Sequence, residues 1–203
     1  MTVIATSLRD DQRALTRKRI VEAAKLVFAR SSYSTATIDE ILRAANVSRS
    51  TLYVYFRDKD DILAQISADF TVGFLEIARE LRGPLPSQDD IDLWMRKMAD
   101  FMHRERVPTI LLAGLSSSGE APMSVLRQLG TDVIEALAEQ MPAFHKAIEP
   151  DPGQPLAHAW ATVVMREVSW ACRHFALDPD SEANRCLMQV AGEMFRRLVH
   201  ENA

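Results

Sequence analysis

Residues 37–59, TIDEILRAANVSRSTLYVYFRDK, constrain this chain more than any other stretch, because they contain two short helices with almost nothing between them. Thr37 and Glu40 form a T-x-x-E pair whose hydroxyl and carboxylate satisfy backbone N–H groups that a first helical turn otherwise leaves orphaned. Ile38, Ile41, Leu42 and Ala45 then recur at helical spacing and make one apolar stripe. Asn46 follows, a residue that tolerates the left-handed backbone of a sharp helix stop. Ser48 is the next N-cap, opening a helix over residues 49–56 with Val47 packed beneath the turn. Leu52 and Phe56, four apart, share its buried side, which leaves Arg49, Ser50, Tyr53 and Val54 facing outward. A helix this short is unstable alone and must be held by its apolar side. This is the pattern of a helix-turn-helix, and the groups it presents suit phosphates and base edges.

A third cap follows at once, with Asp58 as N-cap and Asp61 three residues on. Lys59 lies in the first turn of the helix it opens. A cation there opposes the helix dipole, so a phosphate nearby explains it better than the helix does.

The run from Arg19 to Leu63 includes Ala23-Ala24, Phe28, Tyr33, Thr37, Ile41, Ala45, Val47-Ser48, Thr51-Leu52-Tyr53, Tyr55-Phe56 and Lys59. Taken together it closely resembles the DNA-binding domain of the TetR family of transcriptional repressors, over about the first third of the chain. Two positions depart from the family's pattern. Ser32 stands where glycine usually precedes the tyrosine, and Asn46 where glycine usually precedes Val47. The resemblance implies that Arg49, Ser50, Thr51, Tyr53 and Tyr55 enter the major groove or its edges while Thr37, Ser48 and Lys59 hold phosphates, with Arg49 the best candidate for a guanine. It also implies a ligand pocket in a second domain.

Charge supports the DNA reading. The 203 residues carry a net −4, but residues 1–59 hold 11 Lys+Arg against 6 Asp+Glu, +5, and the other 144 hold 13 against 22, −9. The basic sign sits on the helix-turn-helix, as an electrostatic footprint on DNA requires, and the acidic remainder argues against a second nucleic-acid surface. No apolar run approaches the length of a membrane span, and the first residues lack a secretory signal's basic start and apolar core. A cytoplasmic protein is expected. Cys172 and Cys186 are too few for a disulfide scaffold and read as small apolar residues, with a redox role as the alternative.

Residues 1–10 are expected to fray. From Asp11 an amphipathic helix runs to Arg30, with Ile20, Ala23, Ala24, Val27 and Phe28 on one face. Its opening cluster of Arg13, Arg17, Lys18 and Arg19 is either a solvated helix start or a flanking phosphate contact. Residues 31–36 form a turn with Tyr33 packing under the three-helix unit. A long helix from Asp58 continues to Leu81, where Gly83-Pro84-Leu85-Pro86 stops it. Ser87 caps a helix ending at Pro108. A short helix over residues 109–115 leads to a Ser116–Gly119 loop, and Pro122 opens a helix running to Met141, with Pro142 just past its stop. After the proline-rich residues 149–155 come two final helices, 156–176 and 182–200.

No alternating strand pattern and no repeat appears, so the fold class is all-α: an N-terminal helix-turn-helix DNA-binding domain over residues 1–58 and a larger helical domain for ligand binding and dimerisation over 59–203. Trp94, Met98, Phe101, Met102, Met123 and Trp160 are either ordinary core or the soft walls of a cavity for a small apolar or aromatic effector. The last two helices either complete a monomeric core or form a homodimer interface, which matches the use of paired half-sites in a palindromic operator. His103, His145, His158 and His174 lack metal-ligand spacing. No paired carboxylates, nucleophile–base set or cofactor loop can be assembled, so neither an enzyme nor a cofactor is expected.

Overall fold

The computed structural model describes the backbone of residues 8–118, 123–148 and 156–201, and their side chains except 116–118 and 123–129. The described residues are helical, without a strand, in ten elements: α1 (Leu8–Thr35), α2 (Ile38–Ala45), α3 (Arg49–Tyr55), α4 (Lys59–Ala78), α5 (Gln88–Arg104), α6 (Arg106–Ser118), α7 (Met123–Ala138), α8 (Pro142–Ile148), α9 (Ala157–Leu177) and α10 (Glu182–Glu201).

Helix α1 starts at Leu8, three residues before Asp11, and breaks at Ser32, whose φ of 58° and ψ of 162° lie outside any helix. That backbone region is nearly reserved for glycine and costs a side chain about 1–3 kcal/mol. The break is what seats Tyr33. Its ring, buried, meets Phe28 edge-on at 5.1 Å between centroids, and its hydroxyl donates to Asp60 on α4. Lys59 Nζ completes the junction by donating to Tyr33 O at 2.9 Å and Ser34 O at 3.1 Å. Burial, then the Asp60 carboxylate, drive the Tyr33 phenol's pKa well above its usual value. Asn46, at φ 50° and ψ 53°, occupies the left-handed region as the C-cap of α2. Both departures from the family's glycines thus fall on positive φ, and only the asparagine suits its conformation.

Helix α4 ties the two parts together, packing on α1 and also on α5, α6 and α7. It ends at Ala78 rather than Leu81, because the Glu80 N–H turns back to Ile77 O in a tighter final turn. Leu81 stays buried beyond it. The indole of Trp94 donates to Ile77 O at 3.0 Å and so satisfies a carbonyl in the last turn of α4. Gly73 lets α5 approach closely: a Cβ there would lie 2.7 Å from the Phe101 ring, which is seated 5.1 Å from Phe70 and 6.2 Å from Phe74.

Two prolines act otherwise than expected, and four lie outside the described residues. Pro108 does not follow α5 but sits in the first turn of α6, where its missing N–H removes nothing. The helix runs through 116–118, so those serines belong to a helix and Gly119 to undescribed chain. Pro142 opens α8, an element unforeseen in the sequence, because a proline that suits a stop equally suits a first turn. Pro122 and residues 149–155 lie outside the described residues. Helices α9 and α10 pack along each other and on α5 and α8.

Candidate nucleic-acid interface and internal cavity

The reading unit is assembled by its caps. Thr37 N–H and Oγ1 both donate to Glu40 Oε2 at 2.8 Å, and the Glu40 N–H donates to Thr37 Oγ1 at 3.3 Å. These bonds hold the Glu40 carboxyl below its ordinary pKa, the Thr37 backbone N–H contributing most. Ser48 Oγ accepts from the Thr51 N–H at 3.1 Å and meets the Ser50 and Thr51 hydroxyls at 2.9 and 2.8 Å. Beneath, Leu52 and Phe56 are almost fully buried. Above, Arg49, Ser50, Tyr53 and Val54 are exposed, while Thr51 and Tyr55 are half-buried at the edge of the same helix.

Arg49 is not idle. It forms an ion pair with Asp39 of α2, which raises its pKa above the usual arginine value. Asp39 was passed over in the sequence because a first-turn acid on α2 is explained by the helix dipole alone. Lys59 carries an internal reason for its position, the two carbonyls of residues 33 and 34 and the Tyr33 ring 4.7 Å away. An ammonium has three donors, so one remains for a phosphate. Arg13, Arg17, Lys18 and Arg19 are exposed along α1, with the Arg17 guanidinium 5.1 Å over the Phe56 ring. This sets Arg17 of basic α1 over the residue that caps the reading helix.

A cavity of about 630 Å³ lies in the larger part of the molecule. Phe70 and Phe74 of α4, Met102 of α5, Leu112 of α6, Ile134 of α7 and Met165 of α9 form its apolar wall. Of the five expected residues whose side chains are described, only Met102 lines it. Trp94 and Met98 are core, the former turned to Ile77 O with its ring tilted 46° to Phe195 at 5.0 Å. Phe101 stands behind Phe70 and Phe74. Trp160 is 57% exposed on the outside of α9, and the side chain of Met123 lies outside the described residues. Composition marked the region but could not say which side of each helix faces inward. The stripe Thr162, Met165, Ser169, Arg173 on α9, spaced by three and four, was the available signal.

Away from the cavity, α9 and α10 leave Trp160, Val163 and Val190 exposed. Cys172 is buried with its thiol pKa raised by desolvation, whereas Cys186 is exposed, contrary to the expectation of two buried or half-buried cysteines. His103, His158 and His200 each bond one backbone carbonyl, of Ala176, Ala147 and Pro86. Among the described residues no group of three or more His, Cys, Asp or Glu could hold a metal, and no helix is long and apolar enough to cross a membrane.

Comparisons with known proteins agree with this geometry. The sequence model described as "Bacterial regulatory proteins, tetR family" matches residues 20–66. The chain is 31% identical over 71 residues to the HTH-type transcriptional regulator AcrR of Shigella flexneri, covering 34% of this chain and 33% of that one. It is 28% identical over 116 residues to the HTH-type transcriptional repressor SCO4008 of Streptomyces coelicolor, 56% and 57% of the two chains. The matches to AcrR and to HbdR of Aromatoleum thus span a third or less of those relatives. Across the whole fold, a crystal structure of a TetR-family regulator from Syntrophomonas wolfei superposes with a TM-score of 0.71 at 15% identity, covering 93% of this chain and 97% of that one. Through residues 20–66, which carry its capped helix-turn-helix, the chain matches the tetR family of bacterial regulatory proteins.

Proposed function

We propose that this protein is a homodimeric transcriptional repressor in the cytoplasm, which binds a palindromic operator through two copies of α3 and is released by a small ligand. The observation that carries the reading is the outer face of α3: arginine, hydroxyls and phenols exposed over a buried Leu52 and Phe56. In this reading Arg49, Ser50, Thr51, Tyr53 and Tyr55 meet the major groove, and Thr37, Ser48 and Lys59 hold phosphates. Arg49 exchanges Asp39 for a guanine, and the carboxylate it leaves discriminates against sites that offer no such acceptor.

Residues 1–58 act as the DNA-binding domain and 59–203 as the domain for ligand and dimer. The exposed Trp160, Val163 and Val190 supply an apolar face for a second copy of α9 and α10. Dimer half-sites on one DNA face lie about 34–36 Å apart per turn. A ligand that favours a dimer with another separation by a few kcal/mol is therefore enough to empty the operator.

The test is a gel shift on DNA upstream of the chain's own gene, with a salt series, alongside the solution mass. A dimer that binds with a steep salt dependence supports the reading. A monomer indifferent to every duplex at low ionic strength removes it. Binding that no compound weakens leaves a DNA-binding protein without an effector.

A further inference from the structure

The cavity wall is mostly apolar, with hydroxyls, His158 and two arginines among its lining residues. Arg173 lines it from α9, half-buried, and among the described residues its side chain makes no hydrogen bond and no ion pair. Its neighbour on the same stripe, Arg166, is engaged, with Nε and Nη2 both 3.3 Å from Glu167 Oε1. The described lining includes no aspartate or glutamate. Burial alone draws the Arg173 pKa below the ordinary arginine value, with no neighbouring carboxylate to offset it.

A half-buried guanidinium in a cavity that Phe70, Phe74, Met165 and Trp170 also line has lost part of its hydration without a protein partner to replace it. The consequences for an occupant differ by charge. A neutral apolar molecule would cover Arg173 further and leave it unpaired, and a cation would be repelled. An anion gains charge-assisted, bidentate bonds from a planar fork already fixed on a helix. The volume falls within the range of about 300–1,000 Å³ typical of small-molecule sites.

We infer that the cavity takes an amphiphilic carboxylate, its apolar body against Phe70, Phe74 and Met165 and its carboxylate on Arg173. This rests on the reading of the cavity as the effector site and narrows the effector from an apolar or aromatic molecule to an acid with an apolar body. Ser169 and Thr162, on the same stripe, offer hydroxyls beside the carboxylate.

Calorimetric titration of the full chain, without DNA, uses two matched series. Naphthylacetate, naphthylethanol and naphthylethylamine share a rigid aryl body; decanoate, decanol and decylamine share a flexible chain below its micelle concentration. The acid in at least one series is expected to bind at least about tenfold tighter than its alcohol, with the amine weakest. Which series responds separates aryl from alkyl acids. Arg173→Gln should reduce the acid to the alcohol's level while leaving the alcohol unchanged, Arg173→Lys should retain part of the preference, and Arg166→Gln should retain it in full. Unchanged alcohol binding and an unchanged melting curve for Arg173→Gln show that the fold is intact.

The inference is overturned by an alcohol that matches its acid, by a preference that survives Arg173→Gln, or by absence of binding in both series. A gel shift run in parallel keeps the two conclusions apart. DNA binding without acid preference removes only the inference, and acid binding without DNA binding removes only the regulator.

Discussion

The helix-turn-helix and the cavity wall on α9 are both built from residues three and four apart, yet they are specified in different ways. In α2 and α3 the groups that matter point to solvent, and the groups that hold them are neighbours in sequence: Thr37 with Glu40, Ser48 with Thr51, Leu52 with Phe56. On α9 the stripe Thr162, Met165, Ser169, Arg173 becomes a site only because α4, α5, α6 and α7 face it. Local chemistry makes the first surface, and tertiary arrangement makes the second. A reading surface built this way tolerates change in the rest of the chain, whereas a cavity wall changes with every helix that contributes to it.

The largest effect is expected where the reading surface touches the core. Leu52→Ala should cost about 2–5 kcal/mol of stability and abolish DNA binding, because Leu52 and Phe56 are the buried side chains that hold the short α3. Thermal unfolding and a gel shift check this, and a small loss would show that α3 is not held by its buried side.

Arg49→Ala separates surface from scaffold. Operator binding should weaken by about 1–3 kcal/mol with preference relaxed at one base pair, while stability stays within about 0.5 kcal/mol, since the pair with Asp39 is exposed. An unchanged sequence preference among selected DNA fragments would end the proposed role. Asp39→Asn should strengthen operator binding, because it frees the guanidinium and removes a negative charge facing the phosphates.

Smaller effects bear on the backbone. Ser32→Gly should stabilise the fold by about 1 kcal/mol, the strain relieved being partly offset by glycine's greater freedom when unfolded. Ser48→Ala should destabilise by about 1 kcal/mol through loss of the cap. Denaturant midpoints at constant slope resolve both.

The smallest effect is on pH dependence. Glu40, Asp61 and Asp90 have pKa values lowered by capping or pairing, and Glu193, bonded to Arg196 and Arg197, titrates at about 2. A lowered folded-state pKa means stability that is complete above the unfolded carboxylate range and is lost as pH falls through the folded value. Stability should therefore hold from neutral pH down to the ordinary carboxylate range and decline below it, with Glu193 the last to give way. Glu193→Gln should flatten the low end of that decline.

How much of this was legible follows the same division. The caps at Thr37, Ser48, Asp58 and Ser87 were readable because each acts on a backbone N–H within three residues. The positions of Ser32 and Asn46 were readable as departures from glycine, though the strain at Ser32 needed its torsions. Prolines misled where one residue type serves two ends of a helix: Pro142 starts α8, and Pro108 belongs inside α6. Of the residues expected to wall a cavity, Trp94, Met98, Phe101 and Trp160 face elsewhere than the one found, and Met102 lines it. Trp94 is large, apolar and helical, and nothing in its sequence neighbourhood announces that its N–H goes to Ile77 O, 17 residues back. Arg173 was not singled out in the sequence for the same reason.

One junction described above bears on how the two regions communicate. Helix α4 carries Asp60 and Lys59, which grip Tyr33, and Phe70 and Phe74, which wall the cavity. With its first turn clamped, α4 has no soft joint near the DNA-binding end. A force that tilts it at Phe70 or Phe74 must swing the end of α1 along with it, as a tiller turns the rudder to which it is pinned.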